Sequence, residues 1–431
     1  MRQARLGERG RLPATAPIPL RHNRDFQLLW SGQAVSVLGS QISAIAYPLL
    51  VLALTSSPAL AGIVGFAGGL PKLLLPLPAG ALVDRWDRRR LMIFCDVGRG
   101  GALASLALAL LLGHLSLAQI LVVAFVEGTL GVMFRLALLG AVRRVVPAEQ
   151  LPSALSQEEG RIRGAGLLGW PAGGLLFGFG QLLPFLADAV SYVASVGTLL
   201  LVRSRFQEVR VTARRHMIAE IHEGLAWLWN QPFLRMAAAL VAASNLLFQA
   251  LVLVLIVLAR DRGASPSLIG LMLGGAGLGG LLGALCASWF QRRLPAKAVV
   301  IGANWVWAAL MPLVIFAPNP YALGGVFALM AFIGPAWNVV MGTYRLRLTP
   351  DALLGRVASA GSMLSAGALP LGSLIGGFLL QSIGPVGASV VLSSGMLLLA
   401  VAGTASPSVR HAPVLAVSAS ESPRHDDSGG S

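Results

Sequence analysis

The chain has 431 residues, 55% of them hydrophobic and only 12% charged, with a formal net charge of +15. A soluble domain carries about 25% charged residues, and here the apolar residues come in long blocks, so the composition excludes a soluble globular protein and describes a polytopic membrane protein. Of 33 basic residues 31 are arginine, crowded between the apolar blocks, which makes the charge a signal of membrane topology rather than a nucleic-acid surface.

Residues 1–25 form a basic tail with Arg2, Arg5, Arg9, Arg11, Arg21 and Arg24. No small-residue cleavage site follows a short apolar core, so the tail reads as cytoplasmic rather than as a signal peptide. Twelve apolar spans follow, each close to the ~20 residues that a crossing helix needs. They cover roughly 26–54, 58–82, 91–112, 116–140, 151–179, 182–202, 233–259, 266–290, 296–316, 320–343, 353–380 and 385–405. The predicted fold is all-α and membrane-spanning, with a six-helix bundle at 26–202, a linker at 203–232 and a second six-helix bundle at 233–405. In the linker, Met217, Ile221, Leu225 and Leu228 recur at helical spacing opposite Glu220 and Glu223, which predicts an amphipathic interfacial helix. Residues 406–431 are rich in Ser, Pro, Asp and Gly and read as a disordered cytoplasmic tail.

The loops set an orientation. One side carries 25 basic residues, including Arg85, Arg88, Arg89 and Arg90 after span two and Arg292, Arg293 and Lys297 after span eight. The other side holds Arg260 and Arg262. This asymmetry places both termini in the cytoplasm of a cell membrane. Cys95 and Cys286 lie apart inside apolar runs and read as small buried hydrophobes. Six scattered His form no metal or catalytic grouping, and no phosphate-cradling Gly-x-x-x-x-Gly-Lys-[Ser/Thr] loop occurs. Neither enzyme chemistry, a metal nor a bound cofactor is expected.

The chain repeats itself. Gly80-Ala81-Leu82-Val83-Asp84-Arg85-Trp86-Asp87-Arg88-Arg89-Arg90-Leu91 returns 203 residues later as Gly283-Ala284-Leu285-Cys286-Ala287-Ser288-Trp289-Phe290-Gln291-Arg292-Arg293-Leu294. Pro147, Arg144, Gly169, Gly173 and Gly174 recur at the same offset as Pro350, Arg347, Gly372, Gly376 and Gly377, and Ser57-Pro58 recurs at a slightly larger one as Ser265-Pro266. Internal duplication in a membrane chain points to two halves that move against each other. The second copy lacks the acid, with Ala287 in place of Asp84.

Some polar residues stand out inside the spans. Glu127 lies near the middle of span four, where a charge costs on the order of 3 kcal/mol on insertion scales, so it should face a cavity or a partner. Arg135 lies eight residues on, about 80° round the helix, and maps onto Asn338 through the repeat. Asp96 and Arg99 stand one turn apart and can pair, as can Glu159 and Arg163 at i, i+4. Gln33, Ser36, Ser40, Ser43 and Tyr47 are spaced three, four, three and four on one face of span one, and Asn245 and Gln249 share a face of span seven. These neutral groups suit either an amphipathic organic solute or helix-to-helix hydrogen bonding. Asp188 is expected to hydrogen-bond Ser191 or Tyr192. Trp305 and Trp307 read as packing or lipid-facing.

The motif at Gly80, Asp84, Arg85 and the following arginines resembles the loop 2–3 signature of the major facilitator superfamily. Three further stretches resemble its drug and siderophore exporter branch. They are Asp25-Phe26-Gln27-Leu28-Leu29-Trp30, Phe185-Leu186-Ala187-Asp188-Ala189-Val190-Ser191-Tyr192, and Tyr344-Arg345-Leu346-Arg347-Leu348-Thr349-Pro350 with Leu354-Gly355-Arg356-Val357. The resemblance implies two pseudo-symmetric six-helix halves around a cavity lined by spans one, four, seven and ten. It implies a cytoplasmic latch at Gly80, Asp84, Arg85, Arg88 and Arg89, extended by Asp96, Arg99, Glu159 and Arg161, with Glu127 as carrier of a coupling proton. Gln33, Ser36, Ser40, Ser43, Tyr47, Arg135, Asn245, Gln249 and Asn338 become the candidate cavity residues. The implied function is export of a lipophilic or cationic small molecule by a monomer in the lipid bilayer, with the proton gradient as energy source and no nucleic-acid partner. The alternatives are siderophore export and, in another class, a membrane sensor or assembly protein that transports nothing.

Overall fold

A computed structural model describes residues 19–204, 206, 217–350 and 353–410. The expectations for the two outer tails and for most of 205–216 lie outside these residues. So do the side chains of Asp84 and of residues 217–222.

The described chain is helical. α1 (Arg24–Thr55), α2 (Pro58–Leu74), α3 (Pro76–Arg85), α4 (Arg88–Leu112), α5 (Leu117–Val145), α6 (Leu151–Phe179) and α7 (Leu183–Leu201) come first. α8 (Met217–Asn230) fills the linker, and α9 (Pro232–Asp261), α10 (Pro266–Arg293), α11 (Ala296–Leu310), α12 (Leu313–Phe316), α13 (Pro320–Leu348), α14 (Leu354–Ala405) and the short α15 (Pro407–Arg410) complete the order. Local chemistry sets these limits. Asn23, Ser57, Asp87, Ser116, Ser265 and Asn319 each accept a backbone N–H of the first turn, which satisfies a donor the helix leaves open. Pro58, Pro232, Pro266 and Pro320 open helices where no N–H is needed.

Nine helices among the described residues are long and apolar enough to cross a membrane. One of these, α14, crosses twice. Gly384 takes φ 69°, ψ 177° inside it, where Pro385 restarts the helix. α6 is equally long but charged in its first half, and α2 with α3 forms one interrupted span. The result is twelve spans. Span two was expected to be continuous. It breaks at Leu75 because Pro76 has no N–H to give the carbonyl of Lys72, and Pro78 none for Leu74. Span nine breaks likewise before Pro312.

α1 packs along α6 and α7, α4 lies against α5 and α7, and α2 lies on α5. Among the later helices α10 packs on α13, and α9 on α14. α2 also packs on α14, and α6 on α10, which joins the early helices to the late ones. These joints are glycine crossings. A Cβ on Gly62 would lie 2.9 Å from the Gly377 Cα, and one on Gly174 2.7 Å from the Gly270 Cα. The repeat relates Gly174 to Gly377, and Gly62 to Gly270 at the offset of Ser57-Pro58, so the crossings are symmetry mates. Both lie at the end of the molecule opposite the arginine-rich loops. There Ser57 Oγ also donates to Gln381 Oε1 at 2.9 Å, and Arg260 donates to the Leu52 carbonyl at 2.8 Å. Apolar side chains such as Leu111, Phe179, Val193 and Leu285 stand exposed on the outside, the belt a bilayer covers.

α8 forms, but it does more than float at an interface. Leu228 joins the core, Arg356 pairs with Glu223 at 2.6 Å, and a Cβ on Gly224 would lie 2.7 Å from the Arg356 backbone. The linker helix is thus docked on the start of α14.

Candidate functional site

The early helices enclose a connected polar network. On α5, Glu127 accepts from Tyr47 of α1 at 2.7 Å and from Tyr192 of α7 at 3.2 Å, one phenol on each carboxylate oxygen. Ser40 lies 3.0 Å from the Tyr192 hydroxyl. Asp188 is fully buried and accepts from Ser43 at 2.5 Å and Ser191 at 3.1 Å. Deeper toward the arginine-rich end, Asp96 pairs with Arg99 and accepts from Ser195 at 2.6 Å, and Gln33 donates to Ser195 at 2.9 Å. The Arg99 guanidinium lies 4.3 Å from the Tyr192 ring centre and 4.8 Å from that of Phe134. Cation–π contact therefore links the ion pair to the tyrosine that holds Glu127.

Of the two alternatives for span one, this arrangement favours hydrogen bonding between helices. Gln33, Ser36, Ser40, Ser43 and Tyr47 do share a face, but it is turned to α7 and α5. Gln33, Ser36 and Ser43 are buried, and Gln33, Ser40, Ser43 and Tyr47 are engaged in the hydrogen bonds above. Gly32 and Gly39 of the same face press on Thr198, and on Ser191 and Asp188. Small residues let α1 and α7 approach until the polar groups satisfy one another. Asp188 is correspondingly central rather than peripheral.

The later helices hold a cavity of about 280 Å³. Asn245, Gln249 and Asn338 line it, with Phe248, Trp307, Phe327 and Trp337 among its walls. Asn245 also donates to the Ser365 carbonyl at 3.2 Å, and Gln249 to Ser373 at 3.1 Å. Trp307 is therefore a cavity wall, its indole fixed on the Met330 carbonyl at 2.9 Å, while Trp305 is exposed and bonds Thr404. A cavity lined by aromatic and aliphatic groups with a few amides suits an organic solute.

The latch candidates fall mostly within the early helices. Arg89 donates to the Leu199 and Leu200 carbonyls at 2.9 and 2.7 Å, and Arg88 to that of Phe206 at 3.1 Å. Arg89 thus holds the C-terminal end of α7, where unsatisfied carbonyls attract cations, and Arg88 holds the segment after it. Arg85 is exposed. Gly80 lies on α3, which packs on α5. Its repeat mate Gly283 is pressed on the Phe332 backbone of α13. Glu159 pairs with Arg163 at 2.6 Å on an exposed face, while Arg161 is buried and pairs with Glu158 at 2.5 Å. Asp25 accepts the Ser204 N–H at 2.9 Å and ties the start of α1 to the segment after α7.

Ser195, Tyr192 as a Glu127 partner, and Lys72 were missed in the sequence. Asp188, Ser191 and Ser195 recur at three and four on α7, a signal of the same kind as the span-one stripe. Lys72 is one of only two lysines in the chain and stands inside an apolar span.

The family model described as transmembrane secretion effector, a major facilitator family, matches residues 14–425. The chain is 28% identical over 385 residues to the multidrug efflux pump Tap of Mycolicibacterium fortuitum, covering 86% of this chain and 93% of that one. It is 28% identical over 206 residues to macrolide efflux protein A of Streptococcus pyogenes, covering 47% and 51%. The nucleoside transporter NupG superposes with a TM-score of 0.69 at 13% identity, covering 89% of this chain and 99% of that one. An inward-facing bacterial homologue of ferroportin superposes at 0.68 with 16% identity, covering 89% and 98%. With twelve spans, the repeated loop motif and a family model matched along almost its whole length, this multi-pass membrane protein belongs to the transmembrane secretion effector family of the major facilitator superfamily.

Proposed function

We propose that the protein exports lipophilic organic small molecules from the cell by proton antiport, the two six-helix halves rocking about a site near mid-membrane. The observation that carries this reading is the Tyr47–Glu127–Tyr192 arrangement. A carboxyl in mid-span, half-buried, held by two phenols and in no ion pair among the described residues, is placed to carry a proton. Each proton that crosses the membrane field is worth about 2.3 kcal/mol per 100 mV, enough to drive a solute uphill. The aromatic cavity supplies the place for an apolar body, and the relatives named for multidrug and macrolide efflux support the direction and the solute class. The glycine crossings close the end opposite the arginine loops. With the cytoplasm at the arginine-rich end, the closed end is the outer one.

The test is efflux of Nile red, a neutral lipophilic dye, from pump-deficient bacteria with and without a protonophore. Wild-type protein should lower retained dye, and the protonophore should abolish the effect. Glu127→Gln should export no faster than vector cells while reaching the membrane in normal amount. Efflux by Glu127→Gln at the wild-type rate, still protonophore-sensitive, would remove Glu127 from coupling. Efflux indifferent to the protonophore would remove antiport.

A further inference from the structure

Among the described residues, the cations Lys72 and Arg135 form no ion pair. Lys72 stands on the last turn of α2, and Arg135 on α5 two turns beyond Glu127 toward the arginine-rich end. Both side chains are exposed to water, yet protein surrounds both on most sides. That combination describes the wall of a crevice rather than a convex outer surface. Helical register agrees. Gly65 and Gly69 of α2 face Ser373 and Pro370 of α14, and Pro71 faces Gly128 of α5, so Lys72 falls in the sector between these neighbours. Arg135 lies seven residues past Gly128, on the face of α5 that meets α2.

Lys72 and Arg135 are near enough to feel each other's charge. Among the described residues neither makes a hydrogen bond or an ion pair. The acid in reach of Lys72, Glu127, already has a phenol on each oxygen. The cation that Arg135 feels, Arg99, is committed to Asp96. Unpaired cations at membrane depth are expensive and mark solute paths. No such pair stands in the second half. The repeat places Asn338 opposite Arg135, and a glycine, Gly275 or Gly280, opposite Lys72.

We propose that Lys72 and Arg135 form an anion-binding subsite, which takes the carboxylate, phosphate or sulfonate head of an amphipathic solute. The apolar body of that solute lies in the aromatic cavity of Phe248, Trp307 and Trp337. The two places border the same helix: Leu73 packs on Gly367 and Gly69 on Pro370 on one face of α14, and Leu369 on another face lines the cavity. An ammonium and a guanidinium offer several charge-assisted donors to such a head. This narrows the solute class of the export reading, on which it rests, from a lipophilic or cationic molecule to an amphipathic anion. An anionic lipid headgroup presents the same chemistry as a dissolved organic anion, and the test separates them.

Purified full-length protein in phosphatidylcholine nanodiscs is titrated with dansylglycine, dansylamide and dansylcadaverine, which share one body and differ in charge. Energy transfer from the cavity tryptophans to the dansyl group reads binding. Dansylglycine should bind about tenfold tighter than dansylamide, and dansylcadaverine weakest. In Lys72→Gln/Arg135→Gln the ratio of the first two Kd values should fall to about one, and in Lys72→Arg it should hold. If the double variant does not give a monodisperse, helical protein, Lys72→Gln alone decides, with an expected fall of about threefold. Repeating the titration with phosphatidylglycerol in the disc identifies the source. Competition that lowers the dansylglycine preference supports the subsite with a lipid as occupant, and an unchanged preference supports it with a dissolved anion. A wild-type protein that does not prefer dansylglycine, or that binds none of the probes, overturns the proposal, as does a preference that survives the charge-removing substitutions. Binding is read without transport, so failure of Nile red efflux would strike the export reading and not this one.

Discussion

Asp96 and Arg99 are the most demanding pair of side chains in the protein. Both are buried, and the acid is satisfied from α7 by Ser195 while the cation is covered by two rings. Removing one member leaves a buried charge alone, which costs about 3 kcal/mol or more, whereas a well-packed apolar replacement of both is close to neutral. Asp96→Asn should therefore lower the melting temperature of the detergent-purified protein by several degrees, and Asp96→Leu/Arg99→Met should restore most of it. A single substitution without effect would show the pair to be solvated. Spacing made this pair legible, because residues three apart on a helix must meet. The Glu127 clamp was not legible, since its two phenols come from residues 80 and 65 positions away. Lys72 was hidden for another reason: reading basic residues as topology markers leaves no role for one inside a span.

At the scale of elements, periodicity identified the polar face of α1 but not its neighbour. A stripe states only that one side differs. Gly32 and Gly39, interleaved with the stripe, were the available sign that a helix rather than a cavity lay opposite. The glycine crossings carry a sharper consequence. A side chain at Gly174 must push α6 from α10, since the obstacle is the Gly270 backbone rather than a rotatable group. Gly174→Leu should open the sealed end, raising the reactivity of a cysteine introduced at Ser57 toward an impermeant maleimide by about tenfold or more; unchanged reactivity would show that the crossing does not seal. α8 offers the opposite case. Its ion pair, Glu223 with Arg356, is largely exposed and worth less than about 1 kcal/mol, so Glu223→Ala should leave the melting temperature nearly unchanged. Gly224→Leu, which collides with the Arg356 backbone, should detach the helix and speed proteolysis of the linker. Equal effects from the two substitutions would place the docking in the charges instead.

Over the whole molecule, the twelve spans and the arginine asymmetry were legible because bilayer thickness and loop charge act on every residue alike. The repeat was legible through its constant offset. What it left open is the division of labour. The early helices hold Glu127, Asp188, Asp96, Arg99, Arg135 and Lys72, while the late ones supply amides and indoles. Charge lies in one half and oil in the other, although one ancestral pattern underlies both. The glycine crossings show what stayed symmetric. They are contacts of bare backbone, with nothing at the meeting point that titrates or that salt can screen. Apart from the hydrogen bonds of Ser57 and Arg260, the seam at that end is therefore held by fit, and its crossings are blind to acidity and ionic strength. The acids set inside the spans, Glu127, Asp188 and Asp96, all lie in the early half, and a response to pH from within the membrane would come from there.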